Sequence, residues 1–360
     1  MLFLSEIALL QFKNYSNRSF RFDSRVVGIC GNNGTGKTNL LDAVYYLCFT
    51  KSYFTRLDTA NVQQSRSGFR IEGHFKLRDQ SEKTVCILRE NGKKEFKVND
   101  QAYDRFARHI GRYPCVIIAP DDAVLITGNS EERRRFMDSL LSQLDADYLQ
   151  NLITYNKVLQ QRNSLLKAMA ENRHSDTSVL DILDQQLLLP AQYVFDKRRQ
   201  FMVSFLPAVK HMYQAIAQQP EDIQLIYESQ LLEQDMDTLL QQNRTRDLAA
   251  GRSTAGIHRD ELEIRFHNQA FRSVASQGQR KSLLFALKLT EMESLAREKG
   301  FPPLLLLDDV FEKLDETRIR NLLERVCVQN KGQVFITDTN AERLRKQLQQ
   351  LGVDFAVIET

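Results

Sequence analysis

The chain has 360 residues, 42% of them hydrophobic and 26% charged, and its 49 basic and 46 acidic side chains leave a net charge of +3. That length can bury a sizeable core and supports about two domains. The balance excludes a disordered or collagen-like chain and a globally polybasic one, so any nucleic-acid surface has to be a local patch.

The longest apolar runs, such as residues 304–307, are far too short to cross a bilayer. The opening MLFLSEIALLQF lacks a basic n-region and alternates like a strand, so no signal peptide is expected. Cys30, Cys48, Cys86, Cys115 and Cys327 are scattered without a C-x-x-C pair. That usage predicts buried, reduced thiols in a cytoplasmic protein, not disulfides or zinc ligands.

Residues 2–10 and 18–22 predict an opening hairpin, and the apolar run 25–30 (RVVGIC) suits a buried strand. Residues 31–38, GNNGTGKT, fit G-x-x-x-x-G-K-[ST] in full, and apolar residues at helical spacing fill 39–49. Strand, glycine loop and helix together turn the pattern into a site. Backbone N–H groups of such a loop and helix N-terminus hold phosphate oxygens. The candidate nucleotide ligands are Gly31, Asn32, Asn33, Gly34, Thr35, Gly36, Lys37, Thr38 and Asn39. Lys37 is expected to reach the β- and γ-phosphates, and the Thr38 hydroxyl to ligate Mg²⁺. An ordinary glycine turn is the plainer alternative, and the flanks argue against it.

Residues 69–77 alternate with period two, and 84–89 and 95–98 flank Asn91-Gly92, a hairpin turn signal. Residues 115–119 read as a further buried strand, ended by Pro120. From about 130 to 245 the chain turns to Leu, Gln, Arg and Glu, with helical patterns over 131–144, 148–170, 179–216 and 231–242. Pro190 predicts a break or kink in the third of these. Heptads are not sustained, so a packed helical lobe is expected and not a long coiled coil. Beyond 257, residues 261–266, 304–307 and 333–337 read as strands, and 286–299 and 315–329 as helices.

Residues 304–309, LLLLDD, describe a buried strand that delivers carboxylates to a sheet edge where ligands bind. Asp308 is expected to hold the Mg²⁺ shell, and Asp309 to polarise the attacking water. Ser276-Gln277-Gly278-Gln279 precedes a helix, and a serine cap with a glycine would look the same. The order of parts says more than any one of them. It runs phosphate loop, insertion, S-x-G-Q, apolar strand with acids, Leu314-Asp315, then a strand ending in Thr337.

In that order the chain resembles ABC ATPases. Its segments LLQFKNYSNRSFRF, PDDAVLITGNSEERRRFMDSLL, TAGIHRDELEI and ASQGQRKSLLFALKL resemble the RecF family, the recombination-repair branch of the SMC/Rad50-like group, over nearly the full length. The resemblance implies an α/β fold: a two-lobed ABC-type ATPase head, a P-loop NTPase, with an inserted, mostly helical lobe. Residues 1–125 and 301–360 form the ATPase lobe in that reading, and 126–300 the helical arm with the signature. ATP and Mg²⁺ are the implied cofactors. The implied assembly is an ATP-dependent homodimer, in which residues 31–38 of one copy face Ser276, Gln277, Gly278 and Gln279 of the other. Lys37 and Asp309 are the implied catalytic pair, Asp315 the D-loop aspartate, and Arg56 a nucleotide- or DNA-responsive arginine. The implied partners are single-stranded and gapped or junction DNA, RecR and RecO, and through them RecA, in repair, replication and the SOS response.

Three departures bear on rate. Asp309 stands where most ABC ATPases carry Glu, Asp338 where they carry a switch His, and no Q-loop glutamine is evident at 119–122. Slow hydrolysis, suited to a timed switch, is the implied outcome.

His258 is expected to fix a turn near Thr254, not to act in catalysis. The basic clusters at 133–135, 197–199, 93–97 and Arg105 with Arg108 read first as solvated faces. Arg133, Arg134 and Arg135 could equally pair with Glu131, Glu132 and Asp138. A transporter ATPase is disfavoured by the absence of SGGQ. A small-molecule kinase is disfavoured because it leaves S-x-G-Q and Leu314-Asp315 unexplained.

Overall fold

The computed structural model describes residues 1–172, 177–217, 221–311 and 316–360. The chain clusters into two units, Met1–Asp122 with Phe285–Thr360, and Ala123–Leu284.

In the first unit the strands Val26–Cys30, Cys115–Ile118, Leu304–Leu307 and Val334–Asp338 are buried along their whole length. Such continuous apolar runs suit a parallel sheet covered on both faces. They form a five-stranded parallel sheet in the order Phe355–Glu359, Val26–Cys30, Val334–Asp338, Leu304–Leu307, Cys115–Ile118. In this register Leu307 sits beside Ile336 and Ile118, so the residues that follow each strand emerge together at one edge. Phe355–Glu359 escaped the sequence reading. It lies at the sheet's margin with every residue partly exposed, so it shows neither alternation nor a fully apolar run.

A six-stranded antiparallel sheet runs Tyr15–Arg21, Leu2–Phe12, Phe69–Leu77, Gln80–Leu88, Lys94–Val98, Gln101–Ala102. The expected opening hairpin and the Asn91-Gly92 hairpin are both present, the latter with Gly92 at φ 76°. The helix Lys37–Phe49 is apolar nearly all round and therefore buried. Its Leu40, Val44 and Leu47 share one core with Ile7 and Ile71 of the antiparallel sheet and Val27 and Leu304 of the parallel one.

The second unit contains the helices Ser130–Leu144, Ala146–Asn172, Ser178–Ala217 and Met236–Ala250, with a three-stranded antiparallel sheet that includes Ile223–Glu228 and Glu261–Phe266. Pro190 does not break its helix, which runs 40 residues through both Pro190 and Pro207. Leu187, Pro190, Ala191 and Val194 are all buried, and that packing offsets the cost of an interior proline, about 3 kcal/mol for the lost hydrogen bond and the ring's clash together. The helix expected from 231 starts instead at Met236. Asp235 caps it by accepting the Thr238 N–H at 2.9 Å, and Gln230–Leu232 form a separate 3₁₀ turn. The helix expected over 286–299 begins earlier, at Gln277.

Two buried arginines pin the helical unit. Arg162 meets Asp184 at 2.5 Å and Asp247 at 2.7 Å, joining three helices. Arg198 meets Asp138 at 2.7 Å and Asp260 at 2.6 Å. Removing one partner of such a pair strands a charge in the core. All five cysteines are buried, and none is in a disulfide. No helix among the described residues is long and apolar enough to cross a membrane.

Candidate nucleotide site

Val26–Cys30 ends at the glycine loop, and the helix Lys37–Phe49 leaves from it. Gly36 takes φ 112°, and a Cβ there would lie 2.5 Å from Asn14 Nδ2 and 2.8 Å from the Tyr15 hydroxyl. Only glycine fits both the dihedral and the space. Neighbours from the antiparallel sheet brace the loop from outside. Asn14 Nδ2 donates to Thr35 O at 2.9 Å, the Tyr15 hydroxyl donates to Gly36 O at 3.0 Å, and Asn39 Nδ2 donates to Asn14 Oδ1 at 2.8 Å. On the other side the Thr35 and Thr360 hydroxyls lie 2.8 Å apart. Asn32, Asn33 and Gly34 are exposed at the loop's tip.

Lys37 is buried, and its Nζ donates to Gly31 O at 2.9 Å and Asn32 O at 3.1 Å. The Thr38 hydroxyl lies 3.0 Å from both Asp308 carboxylate oxygens. Asp308 follows Leu304–Leu307, and its own N–H donates to Ile118 O at 2.8 Å. Burial pushes the Asp308 carboxyl above its ordinary range, while hydrogen bonds from Thr337 and Thr38 oppose that shift. The structure therefore joins Lys37, Thr38, Asp308 and Asp309 at one edge of the parallel sheet.

From sequence, Thr337 is marked only as the end of a strand. Here its hydroxyl donates to Asp308 Oδ1 at 2.9 Å and accepts the Asp309 N–H at 2.8 Å. Asp338, expected to stand where a switch His would, is buried and held by Arg343 at 2.6 Å. The loop after Cys115–Ile118 presents Asp122 where no glutamine was evident. Asp122 accepts the Ala119 N–H at 2.9 Å and the Tyr53 hydroxyl. Lys288 Nζ lies 3.9 Å from Asp122 and 3.7 Å from Glu291. Burial pushes the Glu291 carboxyl up to about 7.

Ser276 and Gln279 form a reciprocal cap in the second unit. The Gln279 N–H donates to Ser276 Oγ at 3.2 Å, and the Ser276 N–H donates to Gln279 Oε1 at 2.8 Å. Ser276 and Gln277 are exposed, and Gly278 lies in the first turn of the helix Gln277–Lys299. Arg56 is exposed. Asp315 lies outside the described residues.

The remaining candidates resolve into structural roles. His258 Nδ1 lies 2.7 Å from the Tyr155 hydroxyl, and burial holds its pKa down to about 4, so the ring is neutral and structural. Arg133 is buried and grips Glu261 with two hydrogen bonds of 2.7 and 2.9 Å. Arg134 donates to Asp260 O at 2.7 Å, and Arg135 pairs with Glu131 and Glu132. Lys197 meets Asp145 at 2.7 Å, and Lys94 meets Asp58 at 2.8 Å.

A phosphate loop and an acid-tipped strand at one edge of a parallel sheet, their strands separated only by Val334–Asp338 and with a helical insertion between them in sequence, define an ABC-type ATPase head. The family model for the RecF/RecN/SMC N-terminal domain matches residues 3–358. The DNA replication and repair protein RecF of Flavobacterium johnsoniae is 44% identical over 340 residues, 94% of this chain and 95% of that protein. Two solved structures of the recombination mediator protein RecF in the RecFOR pathway are also similar. RecF-ATPrS matches with a TM-score of 0.89 at 27% identity, over 100% of this chain and 96% of that one. RecF-ATP matches with a TM-score of 0.86 at 29% identity, over 94% and 92%. The chain belongs to the RecF family of DNA replication and repair proteins.

Proposed function

We propose that this chain is an ATP-switched clamp that binds DNA gaps and junctions in repair and replication. The observation that carries the reading is the Thr38 hydroxyl at 3.0 Å from both Asp308 oxygens, one residue from Lys37 and one from Asp309. The ATP-bound forms of the two solved relatives support it.

The loop N–H groups and Lys37 bind the phosphates of ATP. Lys37 exchanges the Gly31 and Asn32 carbonyls for phosphate oxygens, so nucleotide entry reorganises the loop from within. Thr38 and Asp308 fit Mg²⁺. Both offer hard oxygens, and no group of three or more His, Cys, Asp or Glu forms a cage among the described residues. Mg²⁺ favours such sparse protein sites, completed by phosphate and water. When bound, the ion neutralises charge on the phosphate oxygens. Asp309 polarises the attacking water, and its short reach makes hydrolysis slow, below about 1 per second against a median enzyme near 10 per second.

The dimer forms when Ser276 and Gly278 of a second copy reach the γ-phosphate, with Asp315 at the seam. DNA is held through phosphates across that dimer, with Arg56 as a responsive contact. RecR and RecO couple the clamp to RecA loading and the SOS response. Affinity for DNA then falls roughly tenfold or more between about 50 and 200 mM salt, with little sequence preference.

Light-scattering mass with ATP and Mg²⁺, with and without a gapped duplex, tests the reading. The expected result is an ATP-dependent dimer that alone retains DNA and that Ser276→Arg abolishes. A monomer under every condition, with ATP bound, overturns the clamp and leaves a bare phosphate loop.

A further inference from the structure

The Thr337 hydroxyl sits between the two acids of the site. It is fully buried at the end of Val334–Asp338, one strand away from the acids in the sheet and 28 residues away in sequence from Asp309. It makes two directional bonds at once, donating to Asp308 Oδ1 at 2.9 Å and accepting from the Asp309 N–H at 2.8 Å. A hydroxyl has one proton, so donation to Asp308, the nearer acceptor, leaves its lone pairs for the Asp309 N–H, with Asp309 Oδ1 farther off at 3.4 Å. The second bond has a conformational consequence. Asp309 takes φ 44°, a left-handed backbone that non-glycine residues rarely adopt. The N–H that Thr337 accepts belongs to that residue.

We propose that Thr337 is the positioning residue of the acid pair, a role that rests on the Mg²⁺–ATP reading above. One hydroxyl locks the rotamer of the metal-holding carboxylate and the backbone of the water-polarising one. The two acids then move as a unit with the adjacent strand. Thr38 contacts Asp308 from the loop side, so the carboxylate is held between one hydroxyl on the phosphate loop's helix and one on the adjacent strand. Thr337 touches neither nucleotide nor metal and acts only through Asp308 and Asp309.

The test compares Thr337→Val, Thr337→Ser and Asp308→Asn, singly and with Thr337→Val combined with Asp308→Asn. The readout is ATP affinity by titration calorimetry, with Mg²⁺ and with EDTA. Thr337→Val is expected to leave metal-free ATP affinity unchanged and to reduce the gain from Mg²⁺ about tenfold. Thr337→Ser restores that gain to within about twofold, since it keeps the hydroxyl. In the Asp308→Asn background, Thr337→Val has no further effect, because the group it acts through is gone. Thr337→Val that keeps the full Mg²⁺ gain overturns the proposal. So does an effect that adds independently to Asp308→Asn, or one that Ser does not rescue. Wild-type protein that binds no ATP overturns the underlying reading as well, and is told apart from these by the first titration.

Discussion

Lys13 reaches Asp42 across 2.5 Å, and the carboxylate it meets lies wholly buried on the helix that leaves the phosphate loop. Asp42 also accepts the Ser52 hydroxyl at 2.6 Å and the Tyr53 N–H at 2.7 Å. One side chain thus fixes the end of the first strand, the helix and the segment leading to Arg56.

Asp42→Ala should therefore strand the Lys13 charge and release that segment. A loss of about 3 kcal/mol in urea unfolding is expected, as for a broken buried pair. A change under about 0.5 kcal/mol, the size of a surface substitution, would count against this role.

Gly36→Ala should separate binding from folding. The added Cβ meets Asn14 and Tyr15 at 2.5 and 2.8 Å and cannot relax at φ 112°. Fluorescent ATP should bind at least about tenfold more weakly because the loop is displaced, while the far-UV spectrum is kept. Unchanged affinity would show that the loop tolerates a side chain there.

Glu291 predicts a dependence on pH. Burial raises its folded pKa to about 7 from an ordinary 4.5, so the fold prefers the protonated carboxyl. That contribution is complete below pH 4.5 and is lost as pH rises through about 7. Buried His109 and His258 act with the opposite sign. Each is held down to about 4 from 6.5, and their contribution is complete above 6.5 and lost as pH falls through 4. The difference between Glu291→Gln and wild type isolates the carboxyl. The variant should gain up to ~3 kcal/mol relative to wild type between about pH 5 and 8. A difference that does not change with pH would sink the idea.

The arginine run 133–135 should divide sharply. Arg133→Ala removes a buried guanidinium and leaves the part-buried Glu261 unpaired, and is expected to cost about 2 kcal/mol. Arg135→Ala removes only exposed pairs one helical turn away and should cost less than about 0.5 kcal/mol. Equal losses in thermal unfolding would mean that burial does not set the hierarchy.

The phosphate loop and the acid strand were legible because each is local. A strand, a glycine loop and a helix follow one another within 25 residues, and LLLLDD announces both its burial and its acids. What was not legible depends on partners distant in sequence. Thr337 acquires its role only because its strand lies beside Leu304–Leu307. Arg133 looked like a solvated charge until Glu261, 128 residues away, closed on it. Pro190 signalled a break or kink, and the helix runs on through it without a break. Asp122 took a place where a glutamine was sought, and nothing local marks its link to Tyr53.

The reciprocal cap at Ser276 carries a consequence for association. In the first turn of the helix Gln277–Lys299 the Gln279 N–H is already capped by Ser276, and Gln279 in turn accepts the Ser276 N–H, so the geometry of this turn is set within the chain itself. A phosphate arriving from another copy would find a rigid socket and could take over the Gln279 N–H, one acceptor replacing another. Little ordering entropy is then left to lose on docking, and the encounter becomes closer to lock-and-key than to folding upon binding. Pairing of two such molecules would be limited by how often nucleotide is present, not by how long the surface takes to form.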